Sequence, residues 1–193
     1  MSSLKLAILS SISAKKSLLS KQKEIELAAN IIFKKIKNGG KVFLCGNGGS
    51  AADAQHLAAE FLIRLKPNVN RRSIPALTLA LDSSTLTACS NDYGFVKVFS
   101  RALQALGSQK DILIILSTTG NSLNILEVLK FAKKKKIFTI GFLGNKGGKA
   151  KKFCNIPIIV NSHNTARIQE SHIFLGHYIF EYVEDKLLKS DTI

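Results

Sequence analysis

Long hydrophobic runs, clustered cysteines and acidic residues are all scarce in this sequence. No stretch approaches the ~20 apolar residues that a helical membrane span requires, so a membrane-spanning role is not expected. Lys5, the short run Leu6 to Leu9 and the following Ser-Ile-Ser-Ala faintly resemble a secretory signal. That run is too short and too serine-rich for one, and its helical pattern continues past Lys16. The three cysteines, Cys45, Cys89 and Cys154, are far apart, odd in number and form no C-x-x-C pair. They argue against a disulfide framework and read as reduced core residues of a cytoplasmic protein. Asp and Glu number only 13 against 28 Lys and Arg, a formal net charge of +15. The excess is mostly lysine spread along the chain, with local runs at Lys133–Lys136 and Lys149–Lys152. Aromatic residues do not interleave with these runs, which argues against nucleic-acid binding by base stacking. A solvated, lysine-rich surface that attracts anionic substrates is the expected consequence.

What is present is enough for one domain. The 193 residues can bury a substantial core without disulfides or a structural metal, and residues 1–193 read as a single domain. Leu4, Ile8 and Ile12 repeat at helical spacing, as do Ile25, Ala28, Ile32 and Ile36. Residues 3–38 are thus an expected helical pair, suited to oligomerisation, ended by Gly39-Gly40. An α/β core over 41–188 follows. Strands are expected at Lys41–Cys45, Pro75–Leu81, Asp111–Leu116, Ile137–Leu143 and Ile156–Val160. Helices are expected at Ser50–Arg64, Ser84–Asn91, Val96–Leu106, Asn121–Lys134 and Arg167–Leu188. Arg64–Ser73 reads as a polar surface loop. Strands alternating with helices predict a doubly wound, five-stranded parallel sheet flanked by helices. Ligands of such sheets bind beyond the carboxyl ends of the strands.

Two loops leave those strand ends. Gly46-Asn47-Gly48-Gly49-Ser50-Ala51 lets backbone amides approach an anion at a helix start. It lacks the acidic partner about 20 residues on that a dinucleotide site needs, and a tight strand-to-helix turn is the alternative. Ser117-Thr118-Thr119-Gly120-Asn121-Ser122 offers four hydroxyls before a helix, without the lysine of a nucleotide P-loop. A phosphomonoester cradle and simple N-capping are both open. His56 and Glu60 share one helix face; taken alone, such a pair is most often a structural hydrogen bond. With Gln169 and His177 they form a plausible donor set for zinc. However, Gln169 and His177 lie ~12 Å apart along one helix at 1.5 Å per residue, and a site shared between subunits relaxes that spacing. Asn91-Asp92-Tyr93-Gly94 reads first as a turn, with substrate contact the alternative. His163 and His172 read as surface or interface residues.

The run from Cys45 to Glu60 (Cys-Gly-Asn-Gly-Gly-Ser-Ala-Ala-Asp-Ala-Gln-His-Leu-Ala-Ala-Glu) resembles the sugar isomerase (SIS) fold family, and within it the phosphoheptose isomerases. Asn91-Asp92-Tyr93-Gly94, Ser117–Ser122 and Thr165-Ala-Arg-Ile-Gln-Glu170 match as well, in order and over nearly the whole chain. The resemblance implies a cytoplasmic homotetramer with sites at subunit interfaces. It would convert sedoheptulose 7-phosphate to D-glycero-D-manno-heptose 7-phosphate through an enediol, for lipopolysaccharide, capsule or glycoprotein heptose. It also implies one zinc ion per site on His56, Glu60, Gln169 and His177. Glu60 and His177 correspond to the acid–base pair. Asn47, Gly48, Gly49, Glu60, Asn91, Asp92, Ser117, Thr118, Thr119, Ser122 and Gln169 correspond to substrate contacts. Members commonly have Ser at Thr119, and some have Asp at Ala166. A non-catalytic relative that binds the DnaA replication initiator shares the Gly-rich loop and the Ala-Arg-Ile-Gln-Glu run. It usually lacks the acid of Glu60 and the imidazole of His177, both present here, so the enzyme is expected over the adaptor.

Overall fold

The strands of the computed structural model, which describes residues 3–79 and 82–190, are β1 (Val42–Cys45), β2 (Ala76–Thr78), β3 (Ile112–Ser117), β4 (Phe138–Leu143) and β5 (Ile156–Ile159). They form one parallel sheet in the order β2-β1-β3-β4-β5. All six residues of β3 are buried. An unbroken apolar run with no polar alternation is what a strand covered on both faces requires. Ile112, Ile114 and Leu116 point into one core, Leu113 and Ile115 into the other, because successive side chains of a strand alternate between faces.

Seven α-helices among the described residues cover those faces: α1 (Leu4–Lys16), α2 (Gln22–Lys37), α3 (Gly49–Leu62), α4 (Ser83–Tyr93), α5 (Val98–Leu106), α6 (Leu123–Lys134) and α7 (Thr165–Lys189). The first core takes the apolar stripes of α2, α3 and α7, and the second those of α4, α5 and α6. The stripe of α2 is Ile25, Ala28, Ala29, Ile32 and Ile36, the spacing of one helix face. Its end comes where Gly39 takes φ +77° and donates to the Ile36 carbonyl. Helix α7 starts at Asn164, whose Oδ1 accepts from the amides of Ala166 and Arg167.

Four expectations are adjusted. The second strand pairs only over Ala76–Thr78, and the final two residues of its expected span, 80 and 81, lie outside the described residues. Asn91, Asp92 and Tyr93 are the last turn of α4 rather than a free turn, and Gly94 (φ +83°) ends it. Helix α6 starts at Leu123 and not at Asn121, because Asn121 bends outward and accepts the Lys149 amide on its Oδ1 at 3.0 Å. His172, expected at a surface or interface, is wholly buried. It continues the inward stripe Ile168–Ser171–Leu175–Ile179 of α7 and lies 6.2 Å, ring to ring, from Phe142.

Candidate active site

From β1 the chain winds to β2 on one side, then returns to β3 on the other. The crevice beyond the ends of β1 and β3 is therefore the topological switch point, where a doubly wound sheet takes its ligand. Both loops singled out in the sequence open there. After β1 the turn is tight: a Cβ on Gly46 would sit 2.5 Å from the Ser50 carbonyl oxygen, and Gly48 has φ +56°. Gly48 is the N-cap of α3 and brings no side chain there; the Ser50 and Ala51 amides turn back onto the Asn47 and Gly48 carbonyls, so what this turn offers an anion is chiefly the positive end of the helix.

The loop after β3 uses its hydroxyls in two ways. Ser117 Oγ accepts from the Gly120 amide at 3.0 Å, and Thr119 Oγ1 from the Asn121 amide at 3.2 Å. In both, the hydroxyl hydrogen remains to be donated to a ligand oxygen. Ser122 occupies the N-cap position of α6 but makes no side-chain capping bond, so capping does not account for its hydroxyl. The first amides of α6 have no backbone partner within the helix, although a side chain of the same turn takes one of them, that of Ile125. Asn124, absent from the sequence-based set, joins the two loops. Its amide and that of Asn47 exchange reciprocal hydrogen bonds of 2.9 and 2.8 Å, while Asn124 Oδ1 also accepts the Ile125 amide. An asparagine in a first helical turn reads as a capping residue, so only the fold reveals this bridge.

The remaining groups come from α3 and α7, which pack side by side. Gly176 permits the approach: a Cβ there would lie 2.4 Å from Leu57 Cδ1. One turn on, the rings of Phe61 and Phe180 stack with centroids 3.7 Å apart. This contact places His56 Nε2 2.7 Å from His177 Nε2 and 3.3 Å from Glu60 Oε1. At 2.7 Å one imidazole donates and the other accepts. One donor atom from each of the three residues lies within 4.8 Å of the others. Two imidazoles and a carboxylate suit zinc chemically, so this set fits the expected metal.

Gln169 is placed elsewhere on the same helix pair. Its Nε2 lies over Gly49, at the opening turn of α3, 2.5 Å from where a Cβ would be. Gly48 and Gly49 are exposed beside it. Asn91 and Asp92 are exposed, with Asn91 Nδ2 donating to Asp92 Oδ1 at 2.9 Å. Thr118 gives its carbonyl to Asn145 Nδ2 at 3.0 Å. Asp53, one turn before His56, is a further acid at the site. Burial pushes its carboxyl above the usual range, His56 partly opposing, and its Oδ2 has no hydrogen-bond partner. Cys45 is buried with its thiol pushed strongly upward by desolvation, and Cys154 is raised to about 12. Such thiols stay protonated and are poor nucleophiles.

Comparison with known proteins agrees with this geometry. A family model described as SIS domain matches residues 9–144. A phosphoheptose isomerase of Clostridium acetobutylicum is 45% identical over 183 residues, covering 93% of this chain and 92% of that protein. One from Aliarcobacter butzleri is 47% identical over 166 residues, 86% of this chain and 87% of that protein. Among solved structures, the Neisseria gonorrhoeae phosphoheptose isomerase superposes with a TM-score of 0.87 at 37% identity, covering 94% of this chain and 97% of that one. The Francisella tularensis enzyme superposes with a TM-score of 0.89 at 34% identity, covering 96% and 100%. These relatives carry isomerase names, and no finding favours the DnaA-binding adaptor. With a parallel sheet, two strand-to-helix loops at its switch point, a His-Glu-His cluster between α3 and α7 and these relatives, the chain belongs to the SIS-domain phosphoheptose isomerases.

Proposed function

We propose that the protein is an aldose–ketose isomerase that converts sedoheptulose 7-phosphate to D-glycero-D-manno-heptose 7-phosphate. The observation that carries this reading is the meeting of His56, Glu60 and His177 beside two helix-start loops, in a chain closely similar to named phosphoheptose isomerases. Ser117, Thr118, Thr119, Ser122 and the α6 amides bind the phosphate, so that binding energy from the far end of the sugar holds the reacting carbons in place. Asn47, Gly48, Gly49, Asn91, Asp92 and Gln169 contact the sugar. Glu60 takes the proton from the hydroxyl-bearing carbon beside the ketone, giving a cis-enediol, and returns a proton to the neighbouring carbon. His177 moves the proton between the two oxygens. Positioned acids and bases contribute roughly 10²–10⁴-fold each.

Zinc fits the donor set of His56, Glu60 and His177, with Gln169 the fourth candidate by family resemblance. When bound, it supplies Lewis-acid polarisation of the substrate carbonyl. A cytoplasmic homotetramer is the proposed working form, with residues 3–38 contributing to assembly. Support comes from α1, where Leu4, Leu6, Ile8, Leu9 and Ile12 are exposed, as are Phe174 and Tyr178 on α7. A band of that size on a lone chain marks a protein interface. No helix among the described residues is long and apolar enough to cross a membrane.

The test is incubation of the protein with sedoheptulose 7-phosphate in deuterated water, with and without chelator, followed by NMR. Conversion with deuterium at the carbon receiving the proton is expected, lost on chelation and restored by zinc. Glu60→Gln should lower kcat by about 10²–10⁴-fold. No conversion in any metal state would overturn the reading. Mixing Glu60→Gln and His177→Gln chains tests the shared site: regained activity supports residues drawn from different subunits, and no rescue places each site within one chain.

A further inference from the structure

The Arg64–Ser73 segment reads as a polar surface loop, yet one of its side chains is wholly buried. Arg71 forms an ion pair with Glu184 of α7, both side chains fully excluded from solvent, with Nε 2.5 Å from Oε2. The rest of its guanidinium turns to the end of α3. Nη2 donates to the Glu60 carbonyl at 2.8 Å, while Nη1 donates to those of Phe61 at 3.0 Å and Arg72 at 2.9 Å. The last carbonyls of a helix lack partners within it, and here one planar cation satisfies two of them while holding a carboxylate on the neighbouring helix.

A buried ion pair is a poor source of stability, because desolvation offsets most of its attraction. Its geometric effect is specific. Glu184 follows His177 by seven residues, two turns on the same side of α7. The peptide group of Glu60 is therefore tied, through one rigid side chain, to the helix that carries His177. The Leu57–Gly176 contact limits how closely α3 and α7 approach, and the Arg71 fork limits how far they separate. We propose that Arg71 is a positioning residue of the isomerase site, one that sets the placement of Glu60 relative to His177 without touching substrate. This inference rests on the isomerase reading above. Lysine cannot replace the fork, since a single ammonium does not span acceptors on two helices in one plane.

Two variants test it: Arg71→Lys, and the double change Arg71→Met with Glu184→Met, which removes the charges together and fills the space with apolar atoms. For each, kcat and KM for sedoheptulose 7-phosphate are measured with the folded fraction by circular dichroism and the affinity for inorganic phosphate. Per folded protein, kcat should fall at least 10-fold in both variants while KM and phosphate affinity stay within about twofold, as for groups that orient a site from behind. Wild-type kcat in either folded variant overturns the proposal. So does a loss of activity that only follows the loss of folded protein, or one that appears in KM alone. An inactive wild-type protein refutes the isomerase reading itself, a separate outcome.

Discussion

Gly176→Ala offers a sharp test of how the site is held together. In an open helix this change stabilises by about 1 kcal/mol, since alanine loses less backbone entropy. Here the new Cβ would lie 2.4 and 2.5 Å from the two methyls of Leu57 and 3.0 Å from its Cγ. Leu57 is fully buried, so it has nowhere to turn. Carbon atoms in contact sit about 3.5–4.0 Å apart, and relief requires α3 and α7 to separate by about 1 Å. Overpacking of this kind costs about 1–3 kcal/mol, leaving a net loss of about 1 kcal/mol after the helix gain. For a chain of this size that lowers Tm by about 2–4 °C. The effect on function is far larger. Gly176 adjoins His177, and the 2.7 Å contact between His56 and His177 would open beyond hydrogen-bond range. A misplacement of 1 Å in a catalytic group costs about 10²-fold in rate. Thermal unfolding and kcat are measured on the same preparation. A raised Tm with wild-type kcat would refute the idea that this contact sets the spacing of the helices.

Asn124→Ala removes both hydrogen bonds to Asn47, each worth about 0.5–1.5 kcal/mol. It should lower stability by about 2 kcal/mol in urea titration and raise KM several-fold, whereas an unchanged KM would show that the loops hold without the bridge. His172 gives a pH dependence. Burial pushes its pKa down from 6.5 to about 4, the Leu143 backbone offsetting this only in part. Above pH 6.5 both folded and unfolded forms are neutral. Between 6.5 and 4 only the unfolded chain takes the proton, so stability falls as pH falls through that window and levels off below it. The loss attributable to His172 is roughly 3 kcal/mol. Denaturant titrations from pH 7 to 4 should show this slope in the wild type and a shallower one in His172→Leu; equal slopes would exclude His172 as the source.

Much of the architecture was legible in the primary structure because it follows from local rules. The unbroken apolar run Ile112–Leu116 read as a doubly covered strand and is one. The stripe on α2 and its glycine stop also lie where their spacing put them. The loops at Gly46 and Ser117 were found because glycines and hydroxyls at a strand-to-helix junction have a direct chemical meaning. Sequence reasoning failed where burial contradicts polarity. Arg71 and His172 are polar residue types that usually lie near water, and the side chains of both are buried. Arg71 is held by Glu184, and His172 lies near Phe142; both neighbours are distant in sequence, and no local window contains them.

The sequence by itself determined the alternating α/β order, the two strand-to-helix loops and the identities of the acid–base candidates, since periodicity, turn chemistry and family likeness reside in residue type and spacing. Only the tertiary structure decided which of those candidates meet. Strand order places the two loops at one switch point. A missing Cβ at Gly176 brings α3 and α7 close enough for His56, Glu60 and His177 to converge, while Gln169 on the same helix is carried to Gly49. The reason is geometric. Residues four apart on a helix are neighbours by construction, whereas the sequence separation of 121 between His56 and His177 is closed only by the packing of one helix against another.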